Sequence, residues 1–493
     1  MRKWLLCFLL IVALLCGCRQ QTTCQTHKDA NEDALCDLCG ETLLIYLDFY
    51  AINDLHGKFA DTDANIGVDE LTTYLRSMQA SDDIAVLLSV GDMWQGSAES
   101  NLTEGLIITD WMNDLGFAAM TLGNHEYDWG EDAIRNHLAS AQFPFLAINI
   151  YDRDTNQRVD YCQPSVVIDY GDVQVGIIGA MGDCYSSISS DKVQNVYFLT
   201  GDALTELVKA ESERLRAEEG VDIVVYTLHD GWETSDNSYL SESQMAGYYD
   251  ISLSDGYVDL VFEGHTHQKY VATDAYGVYH LQHRGDNTGG ISHVELSYHR
   301  ITGEISVVAA ELVRSRYENF PDDPIVDQLL DKYLEQISAS KEVLGYNSVY
   351  RNSKWLRQKV ADLYLQAGLE MWGAEYDIIL GGGFLSIRSP YELAKGDVTY
   401  GVLQSLFPFD NELVLCSIRG VDLLSRFIHT SNENYFISRA DQTAIDPNGA
   451  YYIVVDSYTA SYAPNKLTQI ARYGENVYAR DLLAAWIAEG GAS

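Results

Sequence analysis

Short apolar runs alternate with amphipathic stretches along residues 43–313. Apolar runs that are rich in Val, Ile and Leu and bounded by Gly, Asp or Asn favour buried strands. The sequence predicts such strands at 43–52, 84–90, 117–122, 145–150, 173–180, 222–228 and 258–264. Apolar residues at helical spacing predict helices at 68–79 and 201–220. Alternation of strands and helices predicts a layered α/β domain.

The pattern changes after residue 290. Residues 291–313 predict β hairpins, which close a first domain at 43–315. The spacing over 322–345 predicts one long, solvent-exposed helix, which we interpret as the main part of a linker at 316–345. A second α/β pattern occupies residues 346–493.

The first residues are typical of an export signal. Arg2 and Lys3 precede the apolar run Trp4–Leu15, which is too short to span a bilayer comfortably. This layout predicts a secretory signal peptide at 1–17. The segment Leu15–Cys18 resembles the lipobox of bacterial lipoproteins, which implies lipidation of Cys18 and an extracytoplasmic, membrane-anchored protein. The alternative is an ordinary signal peptide of a secreted protein.

A small Cys/His-rich stalk is predicted at residues 18–42. Two pairs with two-residue spacing are typical of a structural zinc site, namely Cys24, His27, Cys36 and Cys39. Disulfides are one alternative, and calcium bound by Asp29, Asn31 and Asp33 is another. The other cysteines of the body follow no motif and are interpreted as core residues or as one disulfide, namely Cys162, Cys184 and Cys416.

Composition limits the class of partner. The chain has 72 Asp and Glu against 32 Lys and Arg, a net charge of −40. This charge argues against a nucleic acid polymer as partner, because binding one requires Lys and Arg to replace its counterions. A small anionic substrate stays compatible, since bound metal ions can reverse the local potential. With 47% hydrophobic residues and 8 Pro, the chain is expected to fold throughout.

Five short motifs that can carry chemistry each follow an apolar run. They are Asp54-Leu55-His56, Gly91-Asp92, Gly123-Asn124-His125-Glu126, His229 and Gly264-His265-Thr266-His267. Active sites of layered α/β folds lie at the carboxyl ends of strands, so these side chains are expected to converge. Histidine with carboxylate suits Zn, Mn, Fe or Co. The ligands are too many for one four-coordinate ion, which predicts two divalent ions.

This series of motifs resembles that of the calcineurin-like metallophosphoesterases. The segment Asn124–Asp128 and the C-terminal half are similar to the secreted bacterial 5′-nucleotidases, a group with UDP-sugar hydrolases and 2′,3′-cyclic-nucleotide phosphodiesterases. The resemblance implies a four-layer α/β/β/α sandwich at 43–315 and a substrate-binding α/β domain at 346–493. It also implies attack on phosphorus by a metal-activated water, without a covalent intermediate.

The resemblance carries roles to matching positions of this sequence. It implies a first metal site at Asp54, His56 and His267, a second at Asn124, His229 and His265, and a bridging Asp92. It further implies that His125 faces the leaving oxygen and that Asp128 orients it.

The second domain is expected to select the substrate. The family has a glycine-rich turn, Asn-Gly-Gly-Gly-Ile-Arg, whereas Gly381–Arg388 is longer by two residues and has Leu380 in place of Asn. The resemblance implies a phosphate or ribose contact at Arg388 and base stacking by Phe409 and by Tyr458 or Tyr462. Arg351 is a further candidate for an anion contact.

The expected function is release of phosphate from nucleotides, of the 5′-nucleotidase type. The same metal site also suits a cyclic-nucleotide or sugar-nucleotide phosphodiesterase or pyrophosphatase, or the thiosulfohydrolase branch of the superfamily. A surface protein that binds nucleotides without catalysis is the hypothesis from another class. The full ligand set together with His125 and Asp128 favours an enzyme.

Overall fold

The computed structural model describes residues 24, 27–59, 67–232, 257–274, 276–285, 290–313, 320–388, 390–432, 434–441, 443–462, 466–473 and 478–492. The predicted signal peptide and Cys18 lie outside these residues. Within the described part of the chain, we find no helix with both the length and the apolar character needed to traverse a bilayer.

The first domain follows the predicted order of elements. Its strands are β1 (Leu44–Ile52), β2 (Ala85–Ser89), β3 (Ala119–Thr121), β4 (Phe145–Leu146), β5 (Ile150–Asp152), β6 (Ser165–Asp169), β7 (Gln174–Met181), β8 (Val196–Phe198), β9 (Ile223–His229), β10 (Leu260–Glu263), β11 (Tyr270–Thr273), β12 (Tyr279–Gln282), β13 (Ile291–His299) and β14 (Ile305–Val313). Its helices are α1 (Asp69–Ser81), α2 (Ala98–Leu102), α3 (Leu106–Leu115), α4 (Glu131–Ser140) and α5 (Asp202–Arg214). The single strand predicted at 145–150 is instead two strands, because Ala147 and Ile148 donate backbone hydrogen bonds to Gln163 and Gly179.

Two six-stranded sheets form the centre of this domain. Their strand orders are β14-β13-β1-β2-β3-β4 and β11-β12-β10-β9-β7-β6. Phe49 of the first sheet and Phe262 of the second belong to one buried apolar cluster between the sheets. Trp111 of α3 packs on the outer face of the first sheet, and Val208 of α5 packs on the outer face of the second. The four-layer α/β/β/α arrangement is therefore confirmed.

The prediction of one long, solvent-exposed helix over 322–345 is wrong. The segment is broken into α6 (Pro324–Lys332), α7 (Leu334–Ile337) and a 3₁₀ turn at Ser338–Lys341. Val326, Leu329 and Ile337 join the apolar cluster that contains Trp111. The hydroxyl of Tyr333 donates a hydrogen bond to Asp110 at 2.6 Å. One face of the segment is thus packed on the first domain rather than solvated.

A second α/β domain follows. Its strands are β15 (Val343–Asn347), β16 (Ile378–Phe384), β17 (Gly396–Thr399), β18 (Leu413–Arg419), β19 (Tyr435–Arg439), β20 (Ala450–Asp456) and β21 (Leu467–Arg472). Its helices are α8 (Ser353–Trp372), α9 (Tyr400–Leu406), α10 (Gly420–Leu423), α11 (Ser457–Tyr462) and α12 (Ala479–Ala488). Five strands form a sheet in the order β19-β16-β20-β18-β21. Helix α8 packs on it, and its Val360 and Tyr364 share a buried cluster with Val454 of β20.

The glycine run predicted as a turn lies within strand β16. A Cβ atom on Gly381 would lie 2.3 Å from the backbone nitrogen of Leu365 in α8. A Cβ on Gly382, whose φ is +135°, would lie 2.1 Å from the carbonyl oxygen of Phe436 in β19. The glycines therefore allow β16 to pack closely against both α8 and β19. From the local sequence alone, such a strand cannot be distinguished from a glycine-rich turn.

A pair of substitutions tests the packed linker. Ile337 is fully buried and Leu334, three residues before it, is 48% exposed. We expect Ile337→Ala to lower the free energy of unfolding by about 2–5 kcal/mol, and Leu334→Ala to lower it by about 0.5 kcal/mol or less. Urea denaturation of the purified protein measures both. Equal small losses would contradict the packing described for α7.

Candidate metal centre and substrate cleft

The predicted metal-binding side chains lie where strands end. Those of the first sheet follow β1, β2 and β3, and those of the second sheet end β9 or follow β10. Strands β1, β2 and β3 run parallel to one another, as do β9 and β10, so their carboxyl ends meet at one rim. The structure brings these seven residues together there: Asp54, His56, Asp92, Asn124, His229, His265 and His267.

Three of these side chains form a first cluster. Nε2 of His267 lies 3.2 Å from Nε2 of His56 and 3.4 Å from Oδ1 of Asp54. Asp92 adjoins this cluster, with its Oδ2 4.0 Å from Nε2 of His56. All but His267 are buried. The polar atoms of these side chains therefore face one another across a small space.

Asp92 also contacts a second cluster. Its Oδ1 lies 3.2 Å from Nε2 of His229, and the same nitrogen lies 3.3 Å from Oδ1 of Asn124. The ring of His265 is 5.5 Å from that of His229, centroid to centroid. One carboxylate therefore stands between two groups of ligand atoms, as the resemblance implies for a bridging ligand.

The hydrogen bonds of the histidines fit a metal. Nδ1 of His56 donates to the carbonyl of Gln95 at 3.1 Å, and Nδ1 of His229 donates to the carbonyl of Val90 at 2.6 Å. Each ring then presents an unprotonated Nε2 to the rim. Lone pairs that face one another and two buried carboxylates require cations between them. The donor set therefore fits divalent transition metals.

The backbone at the rim is held in an unusual conformation. Asp54, His56, Asp92, His265 and His267 all have positive φ, between 49° and 68°. Such conformations cost on the order of 1–3 kcal/mol each and persist where the surroundings impose them. Here the N–H of Asp54 donates to the backbone carbonyl of Gly91 at 3.0 Å, and the N–H of His56 donates to the backbone carbonyl of Asp92 at 3.0 Å. The sharp turns aim successive side chains at a common point.

His125 lies beside the two clusters with a carboxylate behind it. Its Nδ1 donates to Oδ2 of Asp128 at 2.8 Å, and its Nε2 lies 3.2 Å from Nη2 of Arg388 in the second domain. Burial lowers the pKa of His125, but the carboxylates of Asp128 and Asp92 more than offset this, so its pKa is raised. The predicted pairing of His125 with Asp128 is present in the structure.

A cavity of about 790 Å³ extends from the rim into the second domain. Its lining includes seven of the residues that the sequence analysis singled out: Asn124, His125, Asp128, His265, Arg388, Phe409 and Tyr458. The ring of Phe409 stacks on His125 with centroids 5.5 Å apart, and Cζ of Arg388 lies 5.5 Å from the Phe409 centroid. The cavity therefore joins the metal-binding rim to aromatic and cationic groups.

Arg351 does not reach this cavity. Its guanidinium stacks on Trp355, with Cζ 4.1 Å from the ring centroid, and its backbone pairs with Leu393. Arg351 is not among the residues that line the cavity, which gives no support to the anion contact expected there. The side chain of Tyr462, the second choice for the stacking ring, lies outside the described part of the chain.

Sequence reasoning placed Glu126 in a motif but missed that it ties two of the loops together. Glu126 is fully buried, and its carboxylate accepts hydrogen bonds from the N–H groups of Asp92 at 2.9 Å, Met93 at 2.9 Å and Gly123 at 2.7 Å. These bonds join the loop after β2 to the loop after β3. Its place directly after Asn124 and His125 was the available signal, but its role depends on a loop that is distant in sequence.

Gln282 has a similar role on the second sheet and was also missed. Its Oε1 accepts hydrogen bonds from Thr266 Oγ1 and from the N–H of Gln268, both at 2.9 Å. Its Nε2 donates to the carbonyl of Gly264 at 2.9 Å. The loop that carries His265 and His267 is therefore held from strand β12. No sequence motif marks this residue.

The four predicted zinc ligands of the stalk also come together. Cys24 Sγ lies 3.8 Å from Cys36 Sγ, and Cys39 Sγ lies 3.8 Å from Nδ1 of His27. The donor atoms of all four lie within 4.8 Å of one another. A disulfide would place two sulfurs about 2.05 Å apart, which is far shorter than the Cys24–Cys36 separation.

The remaining cysteines of the body are buried thiols. Cys162, Cys184 and Cys416 form no disulfide in the structure, which favours the core interpretation. Cys184 lies under the second cluster, where its Sγ donates to the carbonyl of His229 at 2.9 Å. Burial raises the pKa of Cys162 and of Cys416 to about 12, so both are protonated at neutral pH.

The Glu126 network generates a prediction about metal affinity. Glu126→Gln replaces one acceptor oxygen by an NH₂ group that cannot accept the N–H of Asp92 or Gly123. We expect a 10–100-fold loss of Mn²⁺ affinity, the usual effect of removing an outer partner of a metal ligand. Calorimetric titration measures it, with Asp132→Asn on exposed α4 as the control. Unchanged affinity in Glu126→Gln would contradict this role.

Known proteins with similar sequences are phosphoesterases and related enzymes, in agreement with a metal site in this chain. Residues 47–269 match the family model described as Calcineurin-like phosphoesterase. An apyrase of Tabanus yao is 26% identical over 428 residues, which are 77% of this chain and 72% of the relative. Protein UshA of Yersinia enterocolitica is 27% identical over 418 residues, which are 75% of this chain and 74% of the relative.

Solved structures share the fold along most of the chain. The 5′-nucleotidase precursor from Thermus thermophilus superposes with a TM-score of 0.69 at 19% identity, covering 90% of this chain and 96% of that one. The putative 5′-nucleotidase from Staphylococcus aureus gives a TM-score of 0.69 at 19% identity and covers 90% of this chain and 97% of that one. This chain therefore carries a calcineurin-like phosphoesterase domain followed by a second domain as in 5′-nucleotidases, counts UshA, 5′-nucleotidase and apyrase among its homologues, and is a metal-dependent phosphoester hydrolase.

Proposed function

We propose that this protein releases phosphate from nucleotides, in the manner of a 5′-nucleotidase, at a centre of two divalent transition-metal ions. The observation that carries the proposal is the cavity that runs from the metal-binding rim to Arg388, Phe409 and Tyr458. The names of the homologues, which include apyrase, 5′-nucleotidase and UshA, support a nucleotide as substrate.

The ligands divide into two sets around Asp92. One ion would be held by Asp54, His56 and His267, and the other by Asn124, His229 and His265, with Asp92 between them. Bound there, two such ions would lower the pKa of a water molecule so that it can attack phosphorus, and would offset the charge of the phosphoryl oxygens. Zn, Mn, Fe and Co all suit this donor set.

His125 is placed to assist departure of the leaving group. Asp128 accepts a hydrogen bond from Nδ1 of His125. This bond fixes the orientation of the ring, so that Nε2 faces the cavity. The raised pKa favours the cationic ring, whose Nε2–H donates to the leaving oxygen. The reaction then needs no Ser or Cys nucleophile.

The second domain supplies recognition. The guanidinium of Arg388, 3.2 Å from His125, is placed to bind phosphoryl or ribose oxygens. Phe409 and Tyr458 offer rings for the base, and stacking contributes about 1–3 kcal/mol per base.

A second candidate substrate class is favoured by a further cation in the lining of the cavity. Lys192 lines it in addition to Arg388, and its ammonium suits a second phosphate, whereas Arg472 is paired with Glu412. A sugar nucleotide or another nucleotide diester would place one there. Hydrolysis of such a diester would use the same metal centre.

Phosphate release from AMP tests the proposal. We expect the purified protein with added Mn²⁺ or Zn²⁺ to hydrolyse AMP, and Asp92→Asn to lose more than the roughly 100-fold typical of an outer-partner mutation. Exposed Asp154→Asn, which alters charge equally, is expected to keep full activity.

Parallel assays with UDP-glucose, 2′,3′-cyclic AMP and bis-p-nitrophenyl phosphate separate the alternatives. Turnover of a diester alone would assign a phosphodiesterase to the same centre. Nucleotide binding without any turnover, with two metals bound, would overturn the enzymatic proposal in favour of a binding protein.

We also propose export and lipid anchoring. The support is the sequence alone: the basic start, the apolar run Trp4–Leu15 and the segment Leu15–Cys18. Lipidation of Cys18 with two acyl chains would hold the enzyme stably at a membrane surface. The nucleotide substrate would then be met outside the cytoplasm.

A structural zinc ion is proposed for the stalk. Tetrahedral zinc with Zn–S bonds of about 2.3 Å separates two thiolate sulfurs by about 3.8 Å, and Cys24 and Cys36 show 3.8 Å. Burial raises the pKa of Cys36, but hydrogen bonds from the backbone and from His27 more than offset this and lower it to about 6. This lowered pKa favours the thiolate at Cys36, the form that binds zinc. The competing calcium interpretation is weakened because Asp29 already accepts the N–H groups of Asp33 and Ala34.

Cobalt substitution tests the stalk site. We expect the Co²⁺-loaded protein to show the near-ultraviolet absorption of a cobalt thiolate. Cys36→Ser should remove most of it, whereas Cys162→Ser, at a buried thiol elsewhere, should keep it. Absence of this band in the wild-type protein, with thiol titration showing paired cysteines, would establish a disulfide instead.

A further inference from the structure

The loop that carries Phe409 is fixed from within its own domain by one arginine. Arg480 lies at the start of α12 and is only 4% exposed. Its Nη1 lies 3.3 Å from the carbonyl of Phe407, 3.3 Å from that of Pro408 and 3.2 Å from that of Phe409. Its Nη2 donates to the carboxylate of Asp410.

The guanidinium is itself held in place. Its Nε donates to the hydroxyl of Tyr400 at 3.2 Å, and its Cζ lies 4.6 Å from the ring centroid of Tyr478. The hydroxyl of Tyr400 donates to Asp481 at 2.7 Å. The guanidinium thus serves five acceptors from three nitrogens, with the two N–H groups of Nη1 shared among the three carbonyls.

The first domain holds the same loop from the opposite side. Nδ2 of Asn101 donates to the carbonyl of Pro408 at 3.3 Å. Oδ1 of Asn101 accepts the N–H of Gly96 at 2.8 Å, and the preceding residue, Gln95, accepts the Nδ1 proton of His56. The loop is therefore connected to the backbone that orients a predicted metal ligand.

We infer that Arg480 is a positioning residue for nucleotide recognition. By fixing three consecutive carbonyls, it sets the place of the Phe409 ring, which lies 5.5 Å from His125 at the mouth of the metal centre. By pairing with Asp410, it also removes an uncompensated negative charge from a cavity meant for an anion. Arg480 acts through Phe409 and contacts no substrate. The inference rests on the proposed nucleotide substrate.

Comparison of two substrates tests it. AMP has a base to stack, and p-nitrophenyl phosphate has no nucleobase, so the ratio of their kcat/KM values reports base recognition. We expect Arg480→Gln to lower this ratio about tenfold through KM for AMP, on the scale of one lost stacking interaction. Arg480→Lys, which keeps the charge beside Asp410, should fall between. Arg419→Gln, which removes an exposed ion pair of the same domain, should keep the wild-type ratio.

A double substitution separates positioning from general damage. Phe409→Ala should lower the ratio by a similar factor, and Phe409→Ala combined with Arg480→Gln should lower it no further, because both act on one contact. A lower melting temperature with both substrates affected equally in Arg480→Gln and Arg480→Lys would overturn the inference and leave Arg480 a purely structural residue.

The same assay distinguishes the two levels of proposal. Wild-type protein that hydrolyses p-nitrophenyl phosphate but shows no preference for AMP would overturn nucleotide recognition, and with it the role of Arg480. Wild-type preference for AMP that survives in Arg480→Gln would overturn the role of Arg480 alone.

Discussion

The apolar contact between the two six-stranded sheets is the constraint on which the site depends. Leu47, Phe49 and Ala51 alternate along β1 and are buried against the second sheet. A slip of one residue in the pairing of β1 would turn this set of side chains away from the contact and expose it. The same slip would turn Asp54, three residues beyond Ala51, away from the rim. Hydrophobic register therefore fixes where the ligands point, although no ligand belongs to the core.

The conformation of the rim is unfavourable without a bound cation, and hydrogen bonds to its loops hold it in place. Five of the ligand positions have positive φ, and the ligand atoms of different side chains face one another. Local sequence would not keep such loops in place. Glu126 holds the loops after β2 and β3, and Gln282 holds the loop after β10, in each case through backbone N–H or carbonyl groups. These hydrogen bonds keep the candidate ligand atoms within 4.8 Å of one another in each group, as a metal site requires.

Sequence predicts this protein well where information is local. The succession of strands and helices along the first domain, the hairpin β13–β14 and the positions of the motif residues after strands follow from short patterns, and the structure has them there. The predictions are wrong where contacts between residues distant in sequence determine the local structure. Gly381–Gly383 form a strand because α8 and β19 crowd them, and the helix over 322–345 breaks and packs because Asp110 and the cluster around Trp111 are present. Glu126, Gln282 and Arg480 act on segments far away in sequence, so no local motif marks their roles.

The chain is acidic overall, so the charges that line the cavity must differ from those of the surface if an anionic substrate is to bind. A protein of net charge −40 must still admit a phosphate ester. Asp410 pairs with Arg480, and Glu412 pairs with Arg472 at 2.8 Å. Two carboxylates of the cavity are thus offset by arginines, and the predicted cations at the rim supply the attraction that the surface does not. Because bound metal provides this attraction at close range, the enzyme can keep an acidic exterior without losing an anionic substrate.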